Sequence, residues 1–177
     1  MRKICYSVAM SLDGYVAGPE GQSDWIVMDP EIDFMALFSR FDTVLMGRKT
    51  FEAASAQGHG GAMPGVRSVV VSRTLRPEDH PGVTVVGKDL ETELKRLRSQ
   101  PGKDIWLFGG GSLFRSLLEM GQVDTIETAI IPVLLGGGVP LLPSTARRTK
   151  LRLVSSKALK KTGTLSLVYA VEGNSVD

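Results

Sequence analysis

Two stretches of the chain pair glycine with groups that bind anions: Val44-Leu45-Met46-Gly47-Arg48-Lys49-Thr50 and Ile105-Trp106-Leu107-Phe108-Gly109-Gly110-Gly111-Ser112-Leu113. Each reads as a buried strand that stops at glycine and opens into a helix. Glycine lets the backbone approach a ligand closely, and a first helical turn offers N–H groups without helical partners and a partial positive charge. Two such turns are two phosphate seats, as one dinucleotide needs. Arg48 adds a planar, permanently charged fork suited to a phosphate monoester. Arg73 follows Val69-Val70-Val71-Ser72 at the end of what should be a neighbouring strand. Together with Ser72, the two arginines could bracket a ribose 2′-phosphate, which selects NADPH over NADH. The plainer alternatives are glycines that only pack a strand end against a helix and an Arg73 that is a solvated loop residue.

The commoner phosphate motifs do not fit. A nucleoside-triphosphatase loop needs glycine five residues before the glycine of its Gly-Lys-Ser/Thr, yet Asp42 stands there and Arg48 follows Gly47. The Rossmann fingerprint needs a third glycine three residues after its second, and Ser112, Leu113 and Phe114 follow the triplet instead. Metal chemistry lacks ligands, because the chain holds one cysteine, Cys5, and two histidines, His59 and His80, both in turn-like segments.

The elements that must position these turns follow from the pattern. Short β-branched runs alternate with helix-period runs, which predicts an α/β sheet with parallel crossovers. Strands are expected at Lys3 to Ala9, Thr43 to Met46, Arg67 to Ser72, Val83 to Val86, Ile105 to Phe108 and Thr125 to Val133. Asp29-Pro30 reads as the cap and first residue of a helix whose stripe of Phe34, Leu37, Phe38 and Phe41 faces the core. A second helix is expected from Lys49 or Thr50 toward Gly58. Asp89 caps a third, with Leu90, Leu94 and Leu97 on one face and Gly102 after its end. The glycine triplet starts a fourth, with Leu113, Phe114, Leu117 and Leu118 inward. Two alternating runs, Leu151 to Ser155 and Leu165 to Val171, predict a C-terminal antiparallel hairpin. The long loop from Met10 to Met28, with Asp13-Gly14, Gly18-Pro19 and Gly21, reads as a lid over a site.

The 177 residues, 42% of them apolar, suit one well-buried domain. No run of 18 apolar residues and no signal-peptide core appears, so a soluble protein with no membrane partner is expected. A lone cysteine suits a reducing cytoplasm. The formal charge of +2 is too small to argue for nucleic acid. It is unevenly spread: between Thr128 and Val171 there is no acidic residue, while Arg147, Arg148, Lys150, Arg152, Lys157, Lys160 and Lys161 all fall there. That segment is either a solvated basic hairpin or a patch that attracts a phosphorylated substrate.

Taken in order, Ser11-Leu12-Asp13-Gly14, Asp42 to Glu52, Val71-Ser72-Arg73, Gly109-Gly110-Gly111 and Ile131-Pro132-Val133-Leu134-Leu135-Gly136-Gly137-Gly138 resemble the dihydrofolate reductase-like superfamily. The Ser-Leu-Asp-Gly and Pro-x-Leu-Leu-Gly-Gly-Gly segments resemble the stand-alone branch related to the riboflavin-biosynthesis reductase domain. The resemblance implies one domain over residues 1–177, a three-layer α/β fold with a mostly parallel central sheet, a C-terminal antiparallel hairpin and helices on both faces. It implies an NADPH-dependent reductase. Gly47, Arg48 and Thr50 would hold cofactor phosphates, Ser72 and Arg73 the 2′-phosphate, and Gly109, Gly110, Gly111, Ser112 and Leu113 the pyrophosphate. A cis peptide is implied within the triplet. Ala9, Val16 and Ala17 would border the nicotinamide, and Asp13, Trp25 and Phe34 the substrate, although Trp25 reads equally as a hydrophobic anchor for its own loop. The acid that supports protonation would be Glu31 or Asp33, unless both serve only the helix dipole. The implied activity is reduction of 5-amino-6-(5-phosphoribosylamino)uracil; the alternatives are dihydrofolate reduction and a non-catalytic NADPH-binding module. The substrate would be a small pyrimidine or pterin-like molecule, and the resemblance allows a homodimer through the last strands.

Overall fold

Strands that are apolar without alternation need cover on both faces, and the chain provides it. A computed structural model describes residues 1–56, 65–144 and 148–173; His59, Gly58 and Arg147 lie outside the described residues. In chain order the elements are β1 (Ile4–Ser11), β2 (Tyr15–Ala17), α1 (Phe34–Ser39), β3 (Phe41–Gly47), α2 (Arg48–Ala54), β4 (Arg67–Val71), β5 (Thr84–Val86), α3 (Leu90–Ser99), β6 (Asp104–Gly109), α4 (Gly111–Glu119), β7 (Thr125–Ile131), β8 (Val139–Pro140), β9 (Leu151–Ala158) and β10 (Leu165–Val171). Eight strands form one sheet in the order β5-β4-β3-β6-β1-β7-β10-β9. The pairs from β5 to β7 are parallel, and β10 pairs antiparallel with both β7 and β9.

Successive residues of a strand point to opposite faces, so the run Ile4-Cys5-Tyr6 divides between two cores. On one face Ile4, Tyr6, Leu45, Ile105 and Leu107 meet Leu94 and Leu97 of α3 and Leu113, Phe114 and Leu117 of α4. The Tyr6 and Phe114 rings stack there at 3.8 Å. On the other, Cys5, Val44, Met46, Val70 and Trp106 meet Phe51 of α2. Each fully buried side chain of this size contributes about 1.5–3 kcal/mol. Burial also pushes the Cys5 thiol up to about 11, which leaves it a packing residue and not a nucleophile. The capping of α3 by Asp89 is as expected: its carboxylate accepts from Thr92 N–H at 3.2 Å.

The first helix departs from expectation. Its cap is Asp33, which accepts from Ala36 N–H at 2.9 Å, and the helix runs only from Phe34 to Ser39. No residue of α1 is buried, and Phe38 is 40% exposed; of the four apolar positions expected to line its core face, only Phe41 is buried, and it belongs to β3. Asp29-Pro30 has the form of a cap and first helical residue, but Asp29 has a long-range task that holds it outside the helix. Its buried carboxylate accepts from Thr162 N–H at 3.2 Å, Thr162 Oγ1–H at 2.6 Å and Glu31 N–H at 2.7 Å. This ties the approach to α1 to the turn between β9 and β10.

The bonds from Thr162 hold the Asp29 carboxyl below its ordinary value. A carboxyl depressed in the folded state stabilises most fully above its unfolded value and loses that contribution as pH falls through the folded one. Asp29→Asn should therefore lower the melting temperature at neutral pH, with the gap to the parent shrinking as the solution is acidified. A gap that is constant in thermal melts across that range would show the charge to be irrelevant.

Candidate functional site

The strand order sets the C-terminal ends of β4, β3, β6 and β1 side by side. Neighbouring strands lie about 4.8 Å apart, so the four ends form a rim about 14 Å long. Along it come Ser72 and Arg73, then Gly47 and Arg48, then Gly109 to Leu113, then the loop that leaves β1. Between β3 and β6 the connections part: α2 packs on the Cys5 face and α4 on the Tyr6 face. In open α/β sheets that divergence is where a crevice forms for a ligand.

The glycines of the two turns are there for different reasons. A β-carbon on Gly111 would stand 3.0 Å from the Pro140 carbonyl oxygen and from Pro143 Cδ, tighter than ordinary contact, so packing alone favours glycine. At Gly47 a β-carbon would meet nothing nearer than 3.9 Å, and at Gly110 only Thr50 Oγ1 at 3.4 Å. Protein packing does not ask for glycine at either. Both leave bare backbone between the turns, which is the cradle a phosphate chain would fill. The Gly109–Gly110 peptide is cis, as the resemblance implies.

The neighbouring polar groups are placed as follows. Arg48 is exposed and pairs with Glu52 at 2.9 Å one helical turn on, an interaction worth only about 0.3–0.5 kcal/mol at the surface. A phosphate would outcompete it easily. Arg73 is exposed at the end of β4. Ser72 is buried, and its hydroxyl oxygen accepts from Thr74 N–H at 3.2 Å and Leu75 N–H at 3.0 Å, so it shapes the turn that presents Arg73. Ser112 is exposed in the first turn of α4, while Leu113 is buried below it. Beside this rim a hollow of about 340 Å³ is lined by Val86 to Asp89, Thr92, Glu93 and Arg96. The backbones of the two strand ends meet there, with Ser72 N–H donating to Val86 O at 3.0 Å.

A second recess lies on the α1 side of the sheet. Register sets Ser7 beside Glu127 and Val168, and Ala9 beside Ala129 and Ser166, all on one face. Apart from Glu127 these residues are half-buried, and small side chains dominate, so the floor under α1 is open. The rings of Phe34, Phe38 and Trp106 follow one another along its side, tilted, with successive centroids at 6.1 and 5.1 Å. At its outer end Lys157 pairs with Glu31 at 3.5 Å. Asp33, by contrast, has its carboxylate on the helix cap. The structure thus brings Ala9, Phe34 and Glu31 to one side of the sheet and leaves Asp33 at the start of α1.

One charged residue of this floor was not singled out from the sequence. Glu127, 7% exposed, receives both ends of the Arg40 guanidinium at 2.6 and 3.0 Å. An acid inside an apolar strand run is costly unless paired, which is the signal that Thr125 to Val133 carried. The pair fastens the end of α1 to the floor.

The loop after β1 is built rather than loose. Val16 and Ala17 belong to β2, which pairs with β8. Trp25 is half-buried, and its Nε1–H donates to Gln22 O at 3.2 Å, within its own loop. Asp13 is exposed but heavily bonded: it accepts from Ser11 Oγ–H at 2.6 Å, Leu135 N–H at 3.1 Å and Gly136 N–H at 2.8 Å. Among the described residues no group of three or more metal-binding side chains occurs, and no helix is long and apolar enough to cross a membrane.

A family model for the RibD C-terminal domain matches residues 2–165. The chain belongs to that family. Within it, the chain is 33% identical to YyaP of Bacillus subtilis, a protein of unassigned activity, over 97% of this chain and 96% of the relative. Among solved structures it is similar to a Shewanella sp. PV-4 protein ascribed to riboflavin biosynthesis, with TM-score 0.81, 26% identity and coverage of 97% and 99%. It is also similar to Enterococcus faecalis dihydrofolate reductase complexed with NADP(H), with TM-score 0.71, 17% identity and 96% of each chain covered. At that identity the likeness shows the fold alone, and the fold is dihydrofolate reductase-like.

Proposed function

We propose that this chain is an NADPH-dependent reductase that delivers hydride to a C=N or C=O bond of a small heterocycle, of the 5-amino-6-(5-phosphoribosylamino)uracil reductase type. The observation that carries the reading is the bare backbone at Gly47 and Gly110, set between Arg48, Arg73 and the start of α4 on one rim. Family membership and the riboflavin-linked relative support the substrate class. NADPH supplies the hydride. Gly47, Arg48 and Thr50 bind its phosphates, Arg48 reaching the 2′-phosphate that Ser72 and Arg73 also frame, and Gly109 to Leu113 receive the pyrophosphate. Ala9, Val16 and Ala17 place the nicotinamide end, and Trp25 and Phe34 bound the acceptor's side.

The acceptor lies on the open floor under α1, beside Ala9 and Ala129. Glu31 is the acid of this site, because Asp33 is committed to the cap. Lys157, with Lys160 and Lys161 nearby in sequence, suits a phosphate on the acceptor. A second copy would pair along β9, whose whole length is exposed, with Leu153 and Val154 51% and 54% accessible. A reducing compartment such as the cytoplasm suits the free Cys5 thiol.

The experiment is NADPH oxidation followed by absorbance with the phosphoribosylaminouracil and, separately, with dihydrofolate. Turnover of the first alone is the expected result. Turnover of dihydrofolate alone would reassign the acceptor, and tight NADPH binding with neither turned over would make the chain a binding module.

A further inference from the structure

The loop that leaves β1 and the glycine turn that leaves β7 are far apart in sequence yet are joined at one carboxylate. Asp13 accepts from the backbone N–H groups of Leu135 and Gly136, and from the hydroxyl of Ser11. Ser11 is fully buried, and its oxygen accepts in turn from Tyr15 N–H at 2.9 Å. Around this point Leu12 N–H donates to Val133 O at 2.9 Å and Leu141 N–H to Gly14 O at 2.9 Å. Charged acceptors make the stronger hydrogen bonds, and this one serves two backbone donors on another loop. Those bonds, that from Ser11 first, hold the Asp13 carboxyl below its ordinary value.

The joined segment reaches two parts of the rim. Past Gly136 it lies against Ala17, where β2 pairs with β8, and then against Gly111 at the start of α4. Arg48, at the start of α2, and Arg73, just after β4, follow strands that lie beyond β6 from β1. Fixing residues 135–141 therefore fixes Ala17 and the first turn of α4 together, and leaves the adenosine half of the rim to other strands.

We infer that Asp13 is a positioning residue: its carboxylate clamps the β1 loop to the Leu135–Gly136 turn and so sets the half of the crevice that takes the nicotinamide. This rests on the cofactor reading above and assigns Asp13 to the scaffold of the cofactor site instead of to the acceptor. The clamp is a property of the free protein, so it can be read without any acceptor.

The test compares the full chain with Asp13→Ala and Asp13→Asn, using NADPH and adenosine 2′,5′-bisphosphate as probes in calorimetry, with amide hydrogen exchange on the free proteins. Losing bonds to a charged acceptor should weaken NADPH at least ~10-fold in Asp13→Ala while the bisphosphate changes less than about twofold. Asp13→Asn, which keeps one acceptor oxygen, should fall between. Exchange at the Leu135 and Gly136 amides should rise in Asp13→Ala. Unchanged exchange would overturn the clamp whatever the probes do. Faster exchange with equal weakening of both probes would overturn its assignment to the nicotinamide half. A parent protein that binds neither probe, yet shows the exchange difference, would overturn the cofactor reading and with it the positioning role.

Discussion

Arg48→Ala should weaken NADPH by about 1.5–3 kcal/mol, roughly 10- to 150-fold in dissociation constant, and leave NADH nearly unchanged. The guanidinium stands at the start of α2, beside the bare Gly47 backbone, and pairs with an exposed carboxylate in the next turn. Removing it abolishes a charge-assisted contact to a dianionic phosphate monoester but costs little in the free protein, because the Glu52 pair is worth only a few tenths of a kcal/mol. Glu52→Ala is the informative companion, since freeing Arg48 should leave NADPH binding equal or slightly tighter. Calorimetric titration with both cofactors decides it. Equal weakening of NADPH and NADH by Arg48→Ala would show that Arg48 does not read the 2′-phosphate.

Gly138→Ala should destabilise the protein by about 2–6 kcal/mol and lower the melting temperature by roughly 5–20 °C. Two costs add. Its φ of +146° is a conformation that residues with a β-carbon rarely adopt, and that β-carbon would fall well inside contact distance of the Ala17 carbonyl oxygen. The obstacle is backbone of β2, which cannot swing aside without breaking its pairing with β8. Gly137→Ala is the control. Nothing lies within 4 Å of a β-carbon at Gly137, so its substitution should stay within about 0.5 kcal/mol. Similar thermal melts for the two variants would mean that the 133–141 segment relaxes away from the β1 loop.

How much of this was legible beforehand depends on whether the deciding contacts are local. Strand cores such as Val44 to Met46 and Ile105 to Leu107 announce themselves, because a strand buried on both faces must be apolar at every position. The Asp89 cap and the Leu90, Leu94, Leu97 stripe were also readable, since a cap and the turn after it are adjacent in sequence. The α1 start was not. Asp29 and Asp33 are both able caps, and the choice was made by Thr162, 133 residues away, which draws the Asp29 carboxylate into a different set of bonds. The same holds for the aromatic stripe: Phe34 and Phe38 have helical spacing, but α1 sits over an open floor of Ser7, Ala9, Ala129 and Ser166, so spacing did not translate into burial.

The sequence by itself determined the fold class, the family and the residues proposed to bind anions, because apolar periodicity, turn glycines and arginines beside them are local properties of the chain. Only the tertiary structure decided which glycines are required by packing and which leave backbone bare, that Glu127 is buried against Arg40, and that Asp13 bonds to Leu135 and Gly136. Those outcomes depend on which strand lies beside which, and a parallel sheet takes its neighbours from distant parts of the chain.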